Sequence, residues 1–171
     1  MKSNTIFISY NPKQPEEQTL AIRLHSIGAV NGFRMFLPDR FNSDRVLDLE
    51  TKRRIDESDY FILFSLSDTL SPIVGDEINY AWNRFKKDKS RIIIIHRADK
   101  NQAIQFEASK HCTTINYNPF EESMDAVSSK VINVIFHKEA KLQKDKESQK
   151  GLVALLTIGL GLLALNELSK E

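Results

Sequence analysis

Tyr60 to Trp82 reads YFILFSLSDTLSPIVGDEINYAW, and the change of period inside it decides the fold. The apolar run Tyr60 to Phe64 has the length and aromatic content of a strand buried on both faces. It opens into a Ser/Asp/Thr cluster suited to capping backbone groups. Beyond Pro72, residues Val74, Ile78, Ala81, Trp82 and Phe85 fall at i, i+4, i+7, i+8 and i+11, one face of a helix. Strand, polar loop and helix make half of a βαβ unit.

That helix carries two acids that cannot share a role. At about 100° per residue, with Val74 as zero, the apolar stripe ends near Glu77, while Asp76 lies roughly opposite. Asp76 therefore faces water and Glu77 borders the buried face. A carboxylate in that position either solvates the helix edge or leans over the loop into a crevice.

The same alternation extends in both directions. Thr5 to Tyr10 (TIFISY) reads as a first strand that breaks at Asn11, Pro12 and Pro15. A helix follows from about Glu16 to Ile27, with Leu20, Ile22, Leu24 and Ile27 as its apolar contacts and Gly28 near its end. Gly32 to Leu37 reads as a second strand, then a proline-initiated polar loop, then a helix near Val46 to Glu57 carrying Leu47, Leu49 and Ile55. Arg91 to Ile95 ends in a run of isoleucines that requires cover on both faces. Asp99 to His111 is weakly patterned, Thr113 to Tyr117 is a fifth strand, and Phe120 to about Lys138 is a closing helix. Strands alternating with helices define an α/β fold: a five-stranded parallel sheet of flavodoxin-like order 2-1-3-4-5, with helices on both faces.

Composition narrows the function. The 171 residues are 41% hydrophobic and 27% charged, enough for one globular domain plus an appendage. A net charge of +1 gives no field to gather nucleic acid, which is not an expected partner. The single cysteine, Cys112, rules out an internal disulfide and reads as a small buried apolar residue of a reducing compartment. The N-terminus carries no signal-peptide pattern, so a cytoplasmic protein is expected. The four histidines show no metal-ligand spacing, and no metal is expected.

On a sheet of this order, ligands bind beyond the carboxyl ends of the strands where the winding reverses, between the first and third strands. Ser9, Tyr10, Asn11, Ser65, Ser67 and Glu77 would then share one crevice. No G-x-G-x-x-G or P-loop follows any strand, which excludes the usual dinucleotide and triphosphate cradles. Ser65 and Ser67 lack a nucleophile-elbow context and read as binding residues. His96, after a strand, reads as structural.

FISY on the first strand, FLPDR after the second, IDESDYFILFSLS, and S-P-I-V-x-x-E-I-x-Y-A on the next helix together resemble a bacterial TIR domain over roughly Thr5 to Lys138. The resemblance implies the same fold and, as in enzymatic members, cleavage of the nicotinamide glycosidic bond of NAD. NAD is then substrate, with no cofactor. It matches the family's catalytic glutamate to Glu77, and the loop Pro38 to Arg45 to a segment that mediates assembly and borders the pocket. Phe41 would touch substrate, and Asp39, Arg40, Phe41 and Arg45 would lie at a contact of a homo-oligomer. Assembly-activated NAD consumption in antiphage defence signalling is the implied use. Asn11-Pro12-Lys13, Phe41-Asn42-Ser43 and Ile73 depart from the family pattern, at positions where relatives carry an acid, Pro-Gly and tryptophan. VGDEINYAW is also similar to the acidic helix of nucleoside 2-deoxyribosyltransferases, whose glutamate attacks a deoxyribose carbon. A TIR module that only self-associates as an adaptor is a third possibility.

After Lys138 the chain changes character. Residues 139–150 form a charged linker or helix extension, and 151–168 an apolar helix. Gly151 to Leu165 is uncharged, yet its length of about 15 residues falls short of the roughly 20 that span a relaxed bilayer. The expectation is that it anchors the protein at the inner membrane or buries itself in an oligomer. Lys141, Lys144, Lys146 and Lys150 would hold the domain on the cytoplasmic side.

Overall fold

The computed structural model describes residues 3–38, 47–67, 70–97 and 110–168, with side chains to 147. Two compact units are distinguished, Met1–Val131 and Ile132–Glu171. The first contains a five-stranded sheet of β1 (Thr5–Ser9), β2 (Arg34–Phe36), β3 (Tyr60–Ser65), β4 (Ile92–Arg97) and β5 (Thr113–Tyr117). All pairings are parallel and the order is β2-β1-β3-β4-β5, the doubly wound arrangement that the strand and helix alternation predicts. Ser9 pairs with Leu63 and Ser65 with His96, so the ends of β1, β3 and β4 form one edge.

Side-chain alternation assigns the two faces. Phe7, Phe61, Leu63, Ile92 and Ile94 form one core with Ile55 of α2 (Leu49–Glu57) and with Ile73, Val74, Ile78 and Ala81 of α3 (Pro72–Arg84). Phe7 and Phe61 stack at 5.6 Å between ring centroids. The alternate residues Ile6, Ile8, Ile62, Phe64, Ile93 and Ile95 are equally buried on the other face. There α1 (Pro15–Val30) contributes Leu20, Ala21 and Leu24. Arg23 on α1 pairs at 3.0 Å with Asp125 in the first turn of α4 (Met124–Leu168).

Several helix limits differ from the sequence reading, each for a local reason. Helix α1 continues past Gly28 to Val30; this glycine is buried against β2, where a Cβ would come within 2.5 Å of Met35 Sδ. The helix stops instead at Gly32, φ +84°, where Phe33 N–H donates to Gly28 O and Gly32 N–H to Ala29 O, both at 3.0 Å. Gly32 therefore ends the helix and does not begin β2. Ile22 is 52% exposed and contributes no core contact. Helix α2 begins at Leu49, since Asp48 Oδ1 accepts Thr51 N–H at 2.6 Å and caps it. Leu47 is buried ahead of the cap, whereas Leu49 is exposed. Ser123 Oγ accepts Ala126 N–H at 3.2 Å, which starts α4 at Met124 and leaves Phe120 outside it, 82% exposed.

The second unit consists of the remainder of α4, which runs unbroken as helix through the charged tract to Leu168. Among the described residues no helix is long and apolar enough to cross a membrane. The side chains of 151–168, on which the expectation of membrane anchoring falls, lie outside those described. Cys112 is half-buried against the α3 core, and burial pushes its thiol up to about 11, far from a reactive thiolate.

Candidate active site

At the edge where β1 and β3 end, a serine from the sheet meets a glutamate from a helix. Ser9 shares the sheet face of Phe7, and that face is covered by α3. Glu77 lies one helical turn beyond Val74 and adjoins Ile78, so the packing that buries those residues carries its carboxylate inward. Both residues have 0% exposure, and Ser9 Oγ donates to Glu77 Oε2 at 2.5 Å. A hydroxyl donating to a carboxylate makes a charge-assisted hydrogen bond, stronger than one between neutral groups. Asp76, the neighbouring acid, is exposed. The border position read from the helical wheel thus becomes full burial at Glu77.

A second buried carboxylate, Glu17, reaches the same edge and was missed in the sequence reading. It is 1% exposed in the first turn of α1, on the stripe of Leu20, Ala21, Leu24 and Gly28. Glu17 Oε2 accepts Asn11 N–H at 2.7 Å, from the turn after β1. Its Oε1 accepts Leu66 N–H at 2.9 Å and both Ser67 N–H and Ser67 Oγ at 3.2 Å, from the turn after β3. Burial raises its pKa above the ordinary value and outweighs these hydrogen bonds, each of which lowers it. Spacing alone could have exposed it: 17, 20, 21, 24 and 28 follow i, i+3, i+4, i+7 and i+11.

The other sequence-selected residues take varied places. Asn11, 7% exposed, accepts Lys13 N–H on Oδ1 at 3.0 Å and so shapes the turn that presents it. Tyr10 is buried beside it at 7% exposure. Ser65 is half-buried at the end of β3, and Ser67 is joined to Asn11 through Glu17. His96 lies inside β4, since the strand continues to Arg97. Arg97 Nη1 pairs with Glu16 Oε2 at 3.3 Å, adding a half-buried ion pair to the same edge. Asp39, Arg40, Phe41 and Arg45 lie outside the described residues. Among the described residues no group of three or more His, Cys, Asp or Glu is arranged to hold a metal ion.

Glu77 and Ser9 have no exposed surface. A cavity of about 500 Å³ is lined by Thr19, Ile22, Arg23, Ser123, Met124 and Asp125, and one of about 420 Å³ by residues including Asp59, Arg84 and Arg91. Neither is lined by Ser9 or Glu77.

No family model and no curated protein sequence matches the chain. Among solved structures it is similar to the CMP N-glycosidase BcmB of Clostridium botulinum, at 18% identity and a TM-score of 0.52, covering 75% of this chain and 97% of that one. The likeness is one of fold: a parallel α/β sheet of the kind described above.

Proposed function

We infer that the protein cleaves an N-glycosidic bond of a nucleotide, that NAD is the substrate, and that Glu77 carries the step. The observation that supports this most strongly is the buried Ser9–Glu77 pair at the point where the sheet reverses its winding. Fold likeness to a CMP N-glycosidase supports glycosidic chemistry. The TIR-like motifs, with Glu77 at the position of that family's catalytic glutamate, support NAD.

The chemistry needs little else. When the C1′–N bond of NAD breaks, its electron pair goes to the nicotinamide nitrogen, which leaves neutral without a proton donor. The ribose acquires oxocarbenium character, and the Glu77 carboxylate opposes that charge in a site of low dielectric. Ser9 holds Oε2 in place. Water attack at C1′, with loss of a proton, gives ADP-ribose, and attack by an adenine nitrogen of the same molecule gives a cyclic product. Glu77 has no exposed surface, so the groups that cover it must move to admit substrate. Activation by assembly into a cytoplasmic homo-oligomer, through the loop from Pro38 to Arg45, is what the TIR resemblance implies.

A second reading is favoured by the same fold likeness: a nucleoside monophosphate or a deoxynucleoside as substrate, with Glu77 attacking C1′ directly. Here the departing base is not cationic and takes up a proton from water as it leaves, and water or a second nucleobase then attacks C1′ and releases Glu77. Incubation of the concentrated protein with NAD, CMP and deoxynucleosides in parallel separates the readings. Nicotinamide release supports the first, release of cytosine or another nucleobase the second, and no turnover in any arm contradicts both.

A further inference from the structure

Glu17 takes no part in the step assigned to Glu77, yet its two oxygens receive four donors from two turns far apart in sequence. Asn11 N–H is on one oxygen; Leu66 N–H, Ser67 N–H and Ser67 Oγ are on the other. These turns follow β1 and β3, at the end of the sheet where Ser9 meets Glu77, the expected lips of a switch-point crevice. We propose that Glu17 is a positioning residue, a carboxylate clasp that fixes the lips at Asn11 and Ser67 so that they hold a bound nucleotide over Glu77. The last clause rests on the nucleotide-glycosidase reading; the clasp itself does not.

A carboxylate is required because both oxygens must accept. A glutamine at this position offers one accepting oxygen and one NH2 group, so one lip meets a donor facing a donor. A purely structural acid under a helix would instead transmit its loss through the whole core. Glu17 hydrogen-bonds to the lips alone in the contacts given above, which localises the effect.

The test compares wild type with Glu17→Gln by amide hydrogen exchange, using the full chain. Exchange at one lip, either Asn11 or the pair Leu66 and Ser67, should rise by about 10- to 100-fold, the loss of a hydrogen bond to a charged group, with the amides of Ile62 and Ile93 unchanged. Equal acceleration at all of these, or none at the lips, overturns the clasp. Ser67→Ala, which removes one of the four donors and leaves the acid, should loosen the lips less than Glu17→Gln and guards against a variant that fails to fold. NAD titrated into Glu77→Gln and into the Glu17→Gln/Glu77→Gln double variant then reads positioning without turnover. At least about tenfold weaker binding in the double variant is expected. Unchanged NAD binding with loosened lips overturns the positioning role. No binding to either protein contradicts the NAD reading and leaves the clasp to be decided by exchange.

Discussion

The Ser9 hydroxyl at the end of β1 donates to Oε2 of Glu77 on α3 at 2.5 Å, and neither residue has exposed surface. Removing that hydroxyl leaves the carboxylate in the core but takes away the contact that orients it. For Ser9→Ala the loss of a charge-assisted hydrogen bond is worth about 1.5–3 kcal/mol, or roughly 10- to 100-fold in kcat if it is fully expressed in the transition state. Steady-state kinetics beside a melting curve check this, because an equal fall in stability with unchanged kcat would make the bond structural only.

Glu17 should set a pH dependence of stability with a definite sign. Burial raises its carboxyl above 4.5, so the folded chain binds this proton more tightly than the unfolded chain. Its contribution to stability is fully present below about pH 4.5 and is lost as pH rises through the folded-state value. The unfolding free energy of Glu17→Gln, measured against wild type, should therefore shift in favour of the variant as pH rises above about 4.5. A shift the other way contradicts the raised value. Ionisation thus costs stability while supplying the acceptors that hold Asn11 and Ser67.

Two glycines should respond oppositely to alanine. A Cβ at Gly75 on α3 meets nothing within 4 Å, so Gly75→Ala should stabilise by about 0.5–1 kcal/mol through helix propensity. At Gly28 the added carbon would lie 2.5 Å from Met35 Sδ, and Gly28→Ala should destabilise by about 1–3 kcal/mol. Denaturant unfolding of both variants checks the pair. If Gly75→Ala gains stability and loses activity, the open space above Gly75 belongs to the substrate.

Assembly should be visible in concentration dependence. Charge reversal at Arg45, in the loop that the TIR resemblance ties to subunit contact, should lower activity more at low protein concentration than at high. Loss independent of concentration would instead assign Arg45 to the substrate pocket.

The sheet was legible because its strands are apolar on both faces. The isoleucines from Ile92 and the Tyr60 to Phe64 run have few other uses, and their alternation with helices leads to the observed order. Glu77 was legible because its neighbours Val74 and Ile78 set the buried face of α3. Glu17 was not, because the α1 stripe was traced through Ile22 and Ile27 on hydrophobicity alone, whereas Ile22 faces water and the acid takes a core position. Its spacing with Leu20, Ala21, Leu24 and Gly28 marks it as buried, but the donors that stabilise it there come partly from a turn nearly fifty residues away. The starts of α2 and α4 differ from the pattern for a simpler reason: Asp48 and Ser123 cap them, and Leu47 and Phe120 lie on the outer side of each cap.

The measurement that bears most directly on the central claim is nicotinamide release from NAD by assembled wild type, Glu77→Gln and Asp76→Asn. Removing the Glu77 charge preserves size and hydrogen bonding, and the loss of a preorganised electrostatic contact should lower kcat by about 100- to 1000-fold. Asp76→Asn should stay close to wild type, because its carboxylate is exposed on the opposite side of α3. Full activity in Glu77→Gln would contradict the mechanism.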